Sequence, residues 1–134
     1  MGRIVLIVDD DSDDRDFFDE ALHEIDSTIE CRFAKNGQEA LDLLNQSKTV
    51  LPDFIFLDLN MPRLGGKQCL RAIKKNKHLS NIPVVIFSTT KQDQEAEETK
   101  ELGAVLFLTK PPTYTELVKR LSFVLSKTIQ NAKS

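Results

Sequence analysis

Five short apolar runs punctuate the chain, at residues 4–8, 29–34, 54–57, 84–87 and 105–108. Four of them are nearly continuous in Val, Ile, Leu and Phe, as expected of parallel strands covered on both faces. The second alternates, with Ile29, Cys31 and Phe33 on one side, and so reads as the edge strand. Between the runs apolar residues recur at helical spacing, as in Phe17, Ala21, Leu22 and Ile25, or Leu117, Leu121, Val124 and Thr128. Boundary residues agree with that division. Ser12 can cap the first helix, with Asp13 and Asp14 near its positive end, while Asn36 with Glu39 and Thr113 with Glu116 have capping-box spacing. The third helix is predicted over about 66–76 with Leu70 and Ile73 inward. A fourth over 92–102, stopped by Gly103, has so few apolar anchors that it should be loosely held.

Strict βα alternation, repeated five times, leads to an α/β fold with right-handed crossovers. The expected architecture is flavodoxin-like (βα)5, a doubly wound five-stranded parallel sheet in the order 2-1-3-4-5 with helices on both faces. In that order ligands bind at the carboxyl ends of the strands, near the switch between strands one and three. No internal repeat, low-complexity stretch or linker divides the chain. Residues 1–134 are therefore expected to form a single domain, with 127–134 a helix extension or tail.

Composition narrows the partners. Apolar residues make up 40% and charged residues 29%, ordinary for a globular protein, and a net charge of -3 with scattered basic residues argues against nucleic-acid binding. Cys31 and Cys69 lie far apart with no CxxC or Cys/His ligand spacing, so they read as buried reduced thiols, with neither a zinc site nor a disulfide framework indicated. No run approaches the ~20 apolar residues of a membrane span, and the apolar start is too short for a signal peptide, so a cytoplasmic location is expected.

The chemistry collects at the strand ends. Strand one ends in Asp9-Asp10-Asp11 and strand three in Asp58, so the predicted topology gathers at least three carboxylates at one sheet edge. Two unit charges ~4 Å apart repel by about 4 kcal/mol at an effective dielectric of 20. A hard divalent cation relieves this, and an oxygen-only ligand set suits magnesium. One capping residue would satisfy the following helix; three acids exceed that need. Strand four ends in Ser88-Thr89-Thr90, with hydroxyl donors, and strand five in Lys110-Pro111, with a fixed cation. A carboxylate, a magnesium ion, a hydroxyl and a lysine are what a phosphoryl group on Asp58 needs around its oxygens.

With Val8-Asp9-Asp10-Asp11, Leu57-Asp58-Leu59-Asn60-Met61-Pro62, Ile86-Phe87-Ser88-Thr89 and Thr109-Lys110-Pro111 at successive strand ends, the chain resembles a response regulator receiver domain of two-component signalling over essentially its whole length. The resemblance implies that Asp58 is the phosphoacceptor and that Mg2+ is held by Asp10, Asp58 and the backbone carbonyl of Asn60, with Asp9 acting through water. It also implies that Ser88 and Lys110 contact the phosphoryl oxygens, and that Ser88 and Phe107 form the switch. A sensor histidine kinase would be the donor. The effect would pass to a downstream protein, or onward to a phosphotransfer protein in a relay, since no output domain is visible. The overall look, including Pro83-Val84-Val85-Ile86 followed by Ser88-Thr89, is similar to small stand-alone receivers that partner phytochrome-type kinases, and the same likeness allows a homodimer through the last strand and helix.

This sequence departs from the family pattern at Phe107, where a hydroxyl-bearing aromatic is common, at Gly65, often acidic, and at Pro112, often Phe. The family also usually has a cis bond before the first proline of Pro111-Pro112. An aspartyl phosphatase would want a second acid where Asn60 stands, so enzymatic turnover of phosphate esters is not expected. Asp9-Asp10-Asp11 would repel the phosphate of a flavin. His23 and His78 have no supporting constellation for phosphotransfer in the sequence.

Overall fold

The computed structural model describes residues 3–46, 50–59, 61, 65–89 and 93–133, with side chains as far as Ser126. Among the described residues ten elements alternate: β1 (Ile4–Val8), α1 (Ser12–Ile25), β2 (Glu30–Ala34), α2 (Gly37–Leu44), β3 (Phe54–Asp58), α3 (Gly66–Lys75), β4 (Val84–Ser88), α4 (Asp93–Glu101), β5 (Leu106–Thr109) and α5 (Tyr114–Lys133). All strand pairs are parallel and the order is β2-β1-β3-β4-β5, as the alternation predicts. The backbone of 127–133 continues α5.

Two cores sandwich the sheet because strand side chains alternate between its faces. Val5, Ile7, Phe54, Phe56, Val85 and Phe87 meet α1 and α5 through Phe18, Leu22, Leu121 and Val124. Phe18 stands edge-on to Phe87, with ring centroids 4.8 Å apart, and tilted to Phe56 at 5.9 Å. Leu6, Val8, Ile55, Leu57, Val84 and Ile86 face Ala40, Leu44, Cys69, Leu70 and Ile73 of α2 and α3.

Local chemistry fixes the element ends, not always at the expected residue. Asp11, not Ser12, caps α1: its carboxylate accepts from the backbone N–H groups of Asp13 and Asp14 while its own backbone stays extended. Asn36 accepts from the Glu39 N–H at 2.8 Å, and Glu39 reaches back to the N–H of Lys35, one residue before the cap. Gly103, at φ 109°, ends α4 with paired bonds from Gly103 N–H to the Lys100 carbonyl and from Ala104 N–H to that of Thr99. On α1 the buried ring is Phe18, while Phe17 is 51% exposed. Phe18 is in phase with Ala21, Leu22 and Ile25; Phe17 sits a 100° step to the side. β2 is the edge strand, but Phe33 and Cys31 are not both covered: Phe33 is exposed and Cys31 half-buried, whereas Cys69 is fully buried. No peptide bond among the described residues is cis, so the expected cis linkage before Pro111 is not found.

Candidate functional site

The strand order reverses between β1 and β3, and a side chain from the carboxyl end of β5 reaches across β4 to meet theirs. Asp9 follows β1, Asp58 ends β3 and Lys110 follows β5, and the alternation of each strand sends these three side chains to the α1 side of the sheet. Asp9 is 3% exposed and Asp58 5%; Asp10 is exposed. Lys110 Nζ donates to Asp9 Oδ2 at 2.9 Å and to Asp14 Oδ2 at 2.9 Å, and stands 3.4 Å from Asp58 Oδ2. The second oxygen of Asp9 accepts from the Asp11 N–H at 3.0 Å, and the Arg15 guanidinium donates to the Asp9 carbonyl oxygen at 2.7 Å. Asp9 is thus oriented from both sides. Burial disfavours the Lys110 ammonium, but its bonds to Asp14 and Asp9 and the charges of Asp9 and Asp58 outweigh that, holding its pKa above the ordinary lysine range.

Ser88 is fully buried at the end of β4, opposite Thr109 in the register, and its carbonyl accepts from the Lys110 N–H at 2.8 Å. Alternation puts Ser88 on the face shared by Ile86 and Phe107, away from Lys110. Lys110 therefore meets Asp58 on the α1 side of the sheet, while Ser88 ends the neighbouring strand β4 on the other face. Phe107 is half-buried against the α3-side core. It helps line a cleft of about 250 Å³ under α4 with Ala96, Thr99 and Ala104. Thr99 is the buried residue of α4, as the shortage of apolar anchors predicts.

The start of α3 closely approaches the end of β3. Gly66 N–H donates to the Leu59 carbonyl, and a Cβ on Gly66 would lie 2.6 Å from both the Asp58 carbonyl oxygen and Leu59 Cα. Gly65 beside it has open space.

An oxygen of each of Asp9, Asp10 and Asp58 lies within 4.8 Å of the others, a spacing that fits a cation. These donors are all carboxylates, and only one ammonium touches them among the described residues, so the arrangement fits a hard divalent ion. Asn60 lies outside the described residues, as does Thr90. Asp11 leaves the cluster to cap α1. Asp14 was not singled out from the sequence as a partner of Lys110. Once Asp11 occupies the cap, Asp14 falls in the first helical turn beside the end of β5.

The response regulator receiver domain family matches residues 5–122. PhoB, the phosphate regulon transcriptional regulatory protein of Pseudomonas aeruginosa, is 32% identical over 128 residues, covering 96% of this chain and 54% of PhoB. This chain thus spans about half the length of that relative. Response regulator Rcp1 of Synechocystis sp. is 29% identical over 128 residues, which cover 92% of this chain and 87% of Rcp1. Among solved structures, the phosphorylated cyanobacterial phytochrome response regulator RcpA superposes with a TM-score of 0.86 at 27% identity, covering 92% of this chain and 91% of RcpA. The Mn2+-bound form of Rcp1 gives 0.83 at 29% identity, with 92% of each chain covered.

Proposed function

Because the chain belongs to the response regulator receiver domain family, we propose that it is a phosphorylation-dependent switch that accepts a phosphoryl group on Asp58. The observation that carries this reading is the buried Asp58 carboxylate held among Asp9, Asp10 and Lys110. In the proposed step an Asp58 oxygen attacks the phosphorus of a phosphohistidine on a sensor kinase. The O–P bond forms as the N–P bond breaks, the histidine nitrogen keeps the bonding pair, and water later hydrolyses the acyl phosphate.

Asp10, Asp58 and the Asn60 carbonyl are the groups that would hold Mg2+, with Asp9 acting through water. Bound there, the ion would neutralise charge on the transferring oxygens. Everything else comes from side chains. Asp9 and Asp14 aim the Lys110 ammonium at the acceptor, so positive charge is in place before the phosphoryl group arrives. The Ser88 hydroxyl is the proposed donor to a phosphoryl oxygen from the opposite side.

Readout follows from the same placement. Ser88 and Phe107 share a sheet face under α4. A pull on Ser88 would let Phe107 move into the cleft lined by Thr99 and Ala104, shifting a balance between two surface shapes. α4 can follow, since it buries little and is tied to α3 by an exposed ion pair, Lys67 to Glu98 at 2.7 Å.

We assign the donor to a histidine kinase of the phytochrome type, a reading supported by the similarity to RcpA, and place the reaction in the cytoplasm. No helix among the described residues is long and apolar enough to cross a membrane. The chain would act as one domain and catalyse only its own phosphorylation and dephosphorylation. The test is incubation with a small phosphoryl donor and Mg2+, followed by intact mass. One phosphate adduct is expected, absent in Asp58→Asn and absent without a divalent ion. An adduct that survives the substitution overturns the assignment.

A further inference from the structure

A second cluster of ligand-type side chains lies away from Asp58. Asp19 and His23 are i, i+4 neighbours on α1, and the chain returns beside them as edge strand β2, so that Cys31 meets both. A carboxylate oxygen of Asp19, a ring nitrogen of His23 and Cys31 Sγ all lie within 4.8 Å of one another. Cys31 pairs with Val5 in the sheet register, whereas Asp9 follows Val8. Four residues at ~3.3 Å each put the two clusters about 13 Å apart along the strand direction.

His23 sits in a setting that calls for a cation. Its Nδ1 is 2.9 Å from Asp19 Oδ1 and its Nε2 is 2.8 Å from the Ile29 carbonyl oxygen. Both oxygens only accept, and a neutral imidazole has a single N–H. Whichever tautomer the ring takes, one nitrogen lone pair faces an oxygen lone pair. A proton or a metal ion between Nδ1 and Asp19 removes that conflict, and with Nε2–H donated to Ile29 the ring is oriented as metal-bound histidines are.

Cys31 decides between the two. A proton on His23 needs no sulfur, yet β2 delivers one into reach. The Cys31 thiol is pushed up to about 12 by burial and by its hydrogen bond to Asp19, so it is inert as it stands. A bound transition metal deprotonates a coordinating thiol outright. One sulfur, one nitrogen and one oxygen form a ligand set for a borderline-soft ion, and it differs in kind from the all-oxygen set at Asp58. In a tetrahedral zinc site such atoms stand about 3.3–3.7 Å apart, which side-chain rotations of about an ångström would reach. His23 lies in the last turn of α1, where the negative end of the helix dipole favours a cation.

We propose that Asp19, His23 and Cys31 bind a divalent transition metal of the zinc class, with the fourth position left to water. The ion ties α1 to the otherwise half-covered edge strand β2. Sequence spacing gave no sign of it because the ligands come from a helix and from the strand that follows.

Cobalt(II) is the probe, since zinc has no visible spectrum. The reduced full chain in excess magnesium should take up one equivalent of cobalt with a near-ultraviolet thiolate-to-metal band. Added zinc should abolish the band, and zinc alone should raise the melting temperature by several degrees. Cys31→Ser and His23→Gln should each remove the band; His23→Gln alters an exposed side chain and serves if Cys31→Ser disturbs folding. No band in the parent protein, a band that survives His23→Gln, or one that magnesium displaces would overturn the site.

Discussion

The ammonium of Lys110 lies 2.9 Å from Asp9, closer than the 3.4 Å that separates it from Asp58. Its position is therefore set more by Asp9 and Asp14 than by Asp58. Asp9 and Asp58 are both almost fully buried, and truncating Lys110 would leave two carboxylates without their common counter-charge. Breaking a buried ion pair by removing one partner typically costs about 3–5 kcal/mol, and partial exposure of Asp14 and Lys110 lowers that. Lys110→Met is expected to destabilise by about 3 kcal/mol in urea unfolding, with part of the loss recovered by millimolar magnesium. A loss that magnesium does not touch would separate Lys110 from the acidic cluster.

The same contacts set a pH window. The folded pKa of Lys110 is raised from an ordinary value of 10.5, so its stabilisation is fully present below that value and is lost only as pH climbs through the higher folded one. The stability gap between the parent protein and Lys110→Met should thus be flat between about pH 7 and pH 9.5 and shrink only above that. Urea unfolding at a series of pH values measures it; a gap closing near pH 8 contradicts the raised pKa.

Gly66 and Gly65 offer a matched pair. A methyl at Gly66 meets Asp58 and Leu59 backbone at 2.6 Å, which no side-chain rotation can relieve, while a methyl at Gly65 meets nothing. Overpacking of this kind costs about 1–3 kcal/mol. Gly66→Ala is expected to lower stability in that range and to slow phosphorylation by moving Asp58; Gly65→Ala should do neither. Equal behaviour of the two variants in thermal melts would remove the packing explanation.

These pairs also show what the sequence could carry. Strand number, order and the gathering of Asp9, Asp58 and Lys110 follow from apolar runs and from where each run stops, because a parallel sheet leaves little freedom once its alternation is set. Spacing alone leaves the phase of α1 open, since Phe17 and Phe18 both fit a helical stripe and packing on Phe56 and Phe87 selects Phe18. The cap moved from Ser12 to Asp11 because both are good caps and the choice depends on backbone angles. Asp14 on Lys110, and Cys31 on Asp19 and His23, are contacts between elements whose relative rotation no spacing rule contains.

Removing charge from the cluster should help the unliganded protein. Asp58→Asn relieves repulsion among Asp9, Asp10 and Asp58, whose oxygens lie within 4.8 Å. Its melting temperature without magnesium is expected to exceed that of the parent, while the increment gained on adding magnesium should fall. Differential scanning fluorimetry in chelator and in magnesium gives both numbers. An unchanged melting temperature in chelator would mean that Lys110 already neutralises the group.

Cys31 and Cys69 should differ in how they respond to a substitution at Asp19, which of these two thiols touches Cys31 alone. Burial pushes both thiols up to about 12; at Cys69 it is the whole cause, whereas at Cys31 the hydrogen bond and charge of Asp19 add to it. At pH 8 a thiol of that pKa is ionised in about one molecule in ten thousand, and the thiolate is the species that reacts. The metal-free native chain is therefore expected to resist alkylation at pH 8 and to react twice when unfolded. Asp19→Asn removes the contribution specific to Cys31 and should speed its alkylation several-fold with Cys69 unchanged, read by peptide mass after a timed pulse. Faster reaction at both positions would instead report general loosening of the fold, and no change at Cys31 would show that burial alone governs it.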